Sequence, residues 1–222
     1  MPLNVLIVGA GIRGPTLAML LQRSNPKHNI TVVERASSLR AVGQQIDLKD
    51  MGPHILRKMG LLDEIKSRCV NETGLEMVDS MGKQVALFGT SAAGQRRTGL
   101  TSEHEIMRGD MIQLLYDATM KQDAELRGED GKGVTYVFGK TITALDQSSE
   151  GVSVTFSDGH NEHYNLVVAA DGQGSQTRRL AFGQEVSDAA FAPLGIHGAY
   201  LASHELRAKG LLQRATSLRE DE

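Results

Sequence analysis

The chain has 222 residues, enough for one large domain or a domain with a small appendage, and 40% are hydrophobic, although aromatics are scarce at 4%. A net charge of −3 and a pI near 6.2 give no long-range attraction to nucleic acid or anionic lipid, and no stretch approaches the ~20 apolar residues of a membrane helix. The single cysteine, Cys69, excludes an internal disulfide and a cysteine-rich metal site; a reduced thiol within a helix and a cytoplasmic location are the expectation.

In chain order, Val5-Leu6-Ile7-Val8 is an apolar run long enough for a strand buried on both faces, and it runs straight into Gly9-Ala10-Gly11-Ile12-Arg13-Gly14. Leu17, Leu20 and Leu21 then follow with helical spacing. In a strand–turn–helix unit of this kind the first glycine makes the tight turn. The second lets backbone approach a pyrophosphate, and the third lets helix and strand pack closely. The first-turn N–H groups have no intrahelical acceptors and carry partial positive charge, which suits a diphosphate. After the loop Asn25-Pro26-Lys27-His28-Asn29, a second apolar run from Ile30 ends in Glu34. Glu34 lies 20 residues beyond Gly14, the spacing at which an acid reaches a ribose 2′-hydroxyl. Strand, glycines, helix and acid together point to an adenine-dinucleotide site; the alternative is a β-turn-α unit whose acid faces water.

Residues 35–48 read as a loop carrying Gly43 and Gln44-Gln45-Ile46-Asp47-Leu48. Pro53 sits where a helix's first turn tolerates proline, Ile55, Leu56 and Met59 give the stripe, and Gly60 is the stop. A short helix starts at Leu61. Short alternating runs between residues 74 and 89, with Asp79-Ser80-Met81-Gly82 between them, predict a hairpin, and residues 91–102 a mobile polar loop. Glu105-Ile106-Met107-Arg108-Gly109-Asp110 then precedes a helical pattern at Met111, Leu114, Leu115 and Ala118. Arg108 there is either a surface partner of Asp110 or Glu105, or a cation facing a phosphate or flavin edge.

Strands are predicted over residues 134–138 and 152–156. A third apolar run, Leu166-Val167-Val168-Ala169-Ala170, delivers Asp171-Gly172-Gln173-Gly174-Ser175 at its carboxyl end, where open α/β sheets place their ligands. Asp and Gly also favour any strand-ending turn. His160 and His163 have no accompanying carboxylate or cysteine arrangement, so no metal site is expected, and no G-x-S-x-G turn marks a nucleophile.

Three stretches together resemble the single-component flavin-dependent aromatic hydroxylases, the family of the p-hydroxybenzoate and salicylate hydroxylases and the tetracycline-inactivating monooxygenases. They are Gly9 to Pro15 with Glu34-Arg35; Gly43 to Leu48 with Glu105 to Asp110; and Asp171 to Ser175 with Arg178. The resemblance covers residues 3 to about 199 and implies an α/β fold, a Rossmann-like FAD-binding domain of the glutathione-reductase type with a small inserted β-rich portion. It also implies that Gly9, Gly11 and Gly14 hold the FAD pyrophosphate and Glu34 the adenosine ribose, with Arg35 near the adenine or the reductant. Asp47 would sit near the flavin, Arg108 would contact the ribityl-phosphate region, and Asp171 and Gly172 would serve both FAD and NAD(P)H. The implied chemistry is reduction of the flavin by NADPH or NADH, addition of O2, and hydroxylation of an aromatic or polyketide-like small molecule by the flavin hydroperoxide. The competing readings are an NAD(P)-dependent reductase and an FAD-binding module without catalytic activity.

The family pattern stops near Tyr200, and no Gly-Asp-Ala-type segment follows residue 172. Expected extents are therefore 1–73 and 105–180 for the FAD-binding part, 74–104 for a first piece of the substrate part and 181–199 for its continuation. Residues 200–222 read as a divergent polar tail, a frayed helix with a thin stripe of Leu206, Leu211 and Leu212. The carboxyl-terminal part of the family fold is expected to be missing. A few hundred square ångströms of sheet left bare at ~25 cal/mol per Å2 would make the chain alone marginal and a weak FAD binder.

Overall fold

A computed structural model describes residues 1–70, 72–89, 104–127, 132–195 and 211–216, with 72–74, 89 and 211–216 as backbone. The elements run β1 (Asn4–Val8), α1 (Arg13–Ser24), β2 (Asn29–Glu34), β3 (Gln45–Asp47), α2 (Met51–Met59) and α3 (Leu62–Arg68). The hairpin strands β4 (Glu72–Val78) and β5 (Gln84–Gly89) follow, then β6 (Glu105–Met107), which leads directly into α4 (Arg108–Leu126). The remainder is β7 (Val134–Phe138), β8 (Ile142–Ser148), β9 (Gly151–Phe156), β10 (Asn161–Tyr164), β11 (Leu166–Ala169), α5 (Gln176–Phe182), α6 (Gln184–Ala189) and β12 (Leu211–Thr216). The chain divides into two units, Met1–Val42 with Met111–His197, and Gly43–Asp110 with Gly198–Glu222.

The first unit is built on a parallel sheet in the order β11-β1-β2-β7. A continuous apolar run makes an interior strand only where both faces are covered, and here both are. Val5, Ile7, Ile30 and Val32 pack with Ala18 of α1, flanked by Leu17 and Leu21. On the other face Leu6, Val8 and Val33 meet Ile142, Val154, Phe156 and Tyr164 of the antiparallel sheet β10-β9-β8. Each fully buried aliphatic side chain contributes roughly 1.5–3 kcal/mol, so these layers fix where the strand ends lie.

A buried polar network joins α4 to α1 and to β7. Gln22 Nε2 donates to Asp123 Oδ1 at 2.6 Å, and Gln122 Nε2 donates to Met19 O at 2.9 Å. Asp123 Oδ1 also accepts the Val134 N–H at 2.8 Å, while Arg127 Nε reaches Asp123 Oδ2 at 2.8 Å.

In the second unit β3 pairs antiparallel with β6, Ile46 facing Ile106 and Asp47 facing Glu105. The predicted hairpin is β4–β5, its turn held by Asp79 Oδ1, which accepts the Met81 and Lys83 N–H groups at 3.0 and 2.8 Å. Gly60 ends α2 in the left-handed region.

Four features differ from the sequence expectation. Residues 45–47, read as loop, form β3, because their partner β6 lies far along the chain and local pattern cannot show it. β8 and β10 were not expected; β8 buries little besides Ile142, so its sequence carries no apolar alternation. Cys69 lies just past the end of α3 and bridges Ile106, where burial and the nearby Glu105 raise the pKa of the half-buried thiol. Within the expected frayed helix, residues 211–216 instead form β12, parallel to β4, since an open strand edge offers backbone partners to any extended segment. The expected polar loop at 91–102 lies outside the described residues. No helix among the described residues is long and apolar enough to cross a membrane.

Candidate cofactor site

The turn after β1 and the turn after β11 lie side by side at the carboxyl ends of neighbouring parallel strands. Val8 is in register with Ala169, and the Ala170 N–H donates to Val8 O at 2.8 Å. Gly9, with φ 111°, donates its N–H to Val33 O at 2.7 Å. A Cβ there would stand 2.5 Å from Ala170 O and 3.0 Å from Asp171 Cα, so the backbones of the two turns touch at this residue. A flavin nucleotide spanning both motifs requires them at one end of the sheet, and they are.

Gly14 lies in the first turn of α1, and a Cβ on it would overlap Gly9 O. Gly11 differs: a Cβ there would meet nothing within 4 Å. The N-cap position of α1 is Ile12, which supplies no side-chain hydrogen bond, and no acid occupies the first turn. Helix-start amides and their partial positive charge thus adjoin open space beside Gly11.

Glu34 ends β2, half-buried, at the rim of the same turn. Its Oε2 accepts the Ala10 N–H and its Oε1 the Ala36 N–H, each at 3.0 Å. A carboxylate offers about four acceptor sites, so two more hydrogen bonds remain within its capacity. Arg35 follows, exposed.

Asp171 works inward. Its Oδ1 accepts from Ser175 Oγ, and its Oδ2 accepts the Thr177 N–H and hydroxyl at 3.0 and 2.9 Å. Ser175 caps α5 by accepting the Arg178 N–H at 2.9 Å, and Arg178 Nη2 donates to Gln173 O at 3.0 Å. The side chains of Asp171, Ser175, Thr177 and Arg178 therefore shape the turn, and Gly172 passes through it at φ 87°. Ser175 and Thr177 were not singled out as site residues; a serine just before a helical segment is the N-cap signal that marks the first of them.

Asp47 and Arg108 belong to the second unit. The Arg108 N–H donates to Gln44 O at 3.1 Å, and a Cβ on Gly43 would come within 2.8 Å of Arg108 Cδ, so Gly43 makes room for the arginine stem. Asp47 forms an ion pair with Lys49 at 2.7 Å and faces the buried Glu105, whose pKa is raised by burial and by the Asp47 charge.

The residues of the first unit fit a dinucleotide. They provide a parallel-sheet α/β frame, a helix start without a side-chain cap, open space at Gly11 and a carboxylate bonded to the glycine turn. The class so defined is a nucleotide-binding α/β protein. The family described as FAD binding domain matches residues 2–209, and the chain belongs to it. Among curated proteins it is 43% identical over 185 residues to an FAD-dependent monooxygenase, asL6, of Sarocladium schorii, covering 83% of this chain and 44% of that protein. It is 38% identical to the flavin-dependent monooxygenase eupH of a Phoma species, over 90% of this chain and 45% of that one. Among solved structures, the tetracycline destructase Tet(51) superposes with a TM-score of 0.64 at 28% identity, over 83% of this chain and 43% of the other. Pseudomonas aeruginosa PqsL, solved with 2-aminobenzoylacetate, gives 0.55 at 26% identity, over 81% and 45%. The chain spans less than half the length of these relatives.

Proposed function

We propose that this chain is the cofactor-holding portion of an FAD-dependent monooxygenase, with a Rossmann-like fold of the glutathione-reductase type. The carrying observation is the contact of the Gly9 and Asp171 turns at one end of a parallel sheet. Backbone amides at Gly11 and the start of α1 hold the diphosphate, and Glu34, fixed by Ala10 and Ala36, presents its remaining acceptor sites to the adenosine ribose, with Arg35 beside it. Asp171 holds its turn in shape through Ser175 and Thr177 so that Gly172 backbone faces the nucleotide. For Arg108 the family resemblance implies a role toward the ribityl-phosphate region, and for Asp47 a place near the flavin. FAD, reduced by NADPH or NADH, supplies O2 activation for hydroxylation of a small aromatic or polyketide-like molecule; the names of the relatives and the ligand of PqsL support that class.

The test is reconstitution of the purified chain with FAD, read by the flavin spectrum and by calorimetry. A yellow protein that releases FAD on denaturation supports the reading; a colourless one that binds NADH tightly overturns it. Glu34→Ala is expected to weaken FAD by about 1–3 kcal/mol, since a ribose hydroxyl loses its acceptor; equal affinity in that variant removes Glu34 from the site. The second reading is a chain that binds FAD without hydroxylating. NAD(P)H oxidation that depends on an aromatic substrate and yields hydroxylated product excludes it.

A further inference from the structure

We propose that Glu105 is a positioning residue: it shares one proton with Asp47 across the β3–β6 ribbon, and the shared proton keeps closed the ribbon that carries Asp47 and Arg108. The lock depends only on this chain's own pairing; its bearing on the flavin nucleotide rests on the reading given above for Asp47 and Arg108.

The ribbon is a separate two-stranded sheet of three residue pairs, Gln45 with Met107, Ile46 with Ile106 and Asp47 with Glu105. Side chains alternate across a strand, so Asp47 and Glu105 share one face while the fully buried Ile106 takes the other. Directly opposed residues have Cβ atoms about 4.5–5.5 Å apart, and like charges at that distance destabilise the pairing. Glu105 is only 6% exposed, so water screens the pair poorly. Two strands alone make a marginal sheet, so a single repulsion counts. The ends of the ribbon are closed by the Leu48 N–H, which donates to His104 O at 2.9 Å, and the Arg108 N–H, which donates to Gln44 O at 3.1 Å.

Two carboxylates in that position cannot both be ionised, and their surroundings decide which keeps the proton. Lys49 pairs with Asp47 at 2.7 Å, which makes Asp47 the anion. Glu105 is the deeper of the two and donates its proton to Asp47. Burial is the largest influence holding the proton on Glu105; the Asp47 charge and hydrogen bond add to it, whereas the Gln45 hydrogen bond and the Lys49 charge oppose it. From the end of α3, Val70 N–H donates to Glu105 O at 2.8 Å, and the nearby Cys69 thiol, its pKa raised, is neutral while Glu105 titrates. Loss of the proton sets two anions face to face between the Leu48 and Arg108 hydrogen bonds. The strand bearing Asp47 then parts from the one leading to Arg108.

The test uses the whole chain, with and without FAD. Infrared difference spectra against Glu105→Gln are expected to show a protonated carboxyl at about pH 6, where an ordinary glutamate is ionised. Amide exchange at Leu48 and Arg108 is followed from about pH 5 to 9, the reach of a buried glutamate. At the acid end the unsubstituted chain and Glu105→Gln are expected to exchange alike. At the alkaline end the unsubstituted chain is expected to exchange ~10-fold faster than Glu105→Gln at the same pH. Asp47→Asn, which leaves one carboxyl group, is expected to stay closed throughout. FAD affinity, titrated on the same samples, is expected to fall in step with the faster exchange in the unsubstituted chain and to hold steady in Glu105→Gln. Absence of the protonated carboxyl, or exchange that matches Glu105→Gln at every pH, overturns the proposal. So does opening of the ribbon with unchanged FAD affinity, which leaves the cofactor assignment standing. Proton-dependent exchange in a chain that binds no FAD at any pH sinks the cofactor assignment and leaves the lock.

Discussion

At Gly11 and Gly14 the same substitution has opposite consequences. Alanine at Gly14 drives a methyl into Gly9 O, backbone against backbone, where neither side can move without separating α1 from β1. Gly14→Ala is expected to cost about 1–3 kcal/mol or more in urea denaturation, and FAD binding with it. Gly11→Ala meets open space, so its melting temperature is expected to match the unsubstituted chain while FAD affinity falls. If both variants lose stability alike, the space beside Gly11 is not a ligand cradle. The glycine spacing and Glu34 were legible in the sequence because a turn between strand and helix leaves few residue choices. The inward-facing hydrogen bonds of Asp171 were not: an aspartate in a strand-ending turn reads the same whether it faces a ligand or caps its own loop.

Among elements, the junction of α4 with α1 and β7 depends on Asp123, which is 3% exposed and accepts from Gln22, Arg127 and the Val134 N–H. Asp123→Ala leaves those donors without their acceptor, and breaking such a buried pair costs about 3–5 kcal/mol. The part-exposed Arg127 places the expected loss at the lower end of that range, measured by urea denaturation. At the β3–β6 pair the relevant variable is pH. Glu105 is 6% exposed, and burial followed by the Asp47 charge raises its pKa, while hydrogen bonding to Gln45 opposes the shift. As pH rises past about 4.3, where an unfolded glutamate ionises, the unfolded chain gives up this proton before the folded chain does. The Glu105 contribution to stability therefore falls with pH until the raised folded pKa is passed, and it stays lower above it. Glu105→Gln is expected to flatten that slope and gain stability at neutral pH, in denaturant titrations at about pH 4 and pH 7. A steeper slope in the variant contradicts this sign. Sequence pattern gave the hairpin β4–β5 but not β3–β6, since the first is joined by a short turn and the second spans a long stretch of chain.

For the whole molecule, a ligand that binds only the folded state stabilises it by mass action. FAD at 100 times its dissociation constant adds about 2.7 kcal/mol, and the melting temperature is expected to rise with FAD concentration and return when the flavin is removed by gel filtration. A melting temperature indifferent to FAD contradicts the cofactor assignment. The exposed Phe182, Val186 and Leu194 also predict that the chain binds a hydrophobic dye, and that charged substitutions at these three positions lower the dye signal.

The sequence by itself determined the first strand–turn–helix unit, the acid that follows it and the apolar run into Asp171, because each is written in contiguous residues with one physical job. Only the tertiary structure decided that the glycine turn and the aspartate turn share an end of the sheet, that Gly43 adjoins Arg108, and that Asp171 serves its own turn. Those facts depend on pairings between residues far apart in the chain, where register and packing choose among partners that local pattern leaves equivalent.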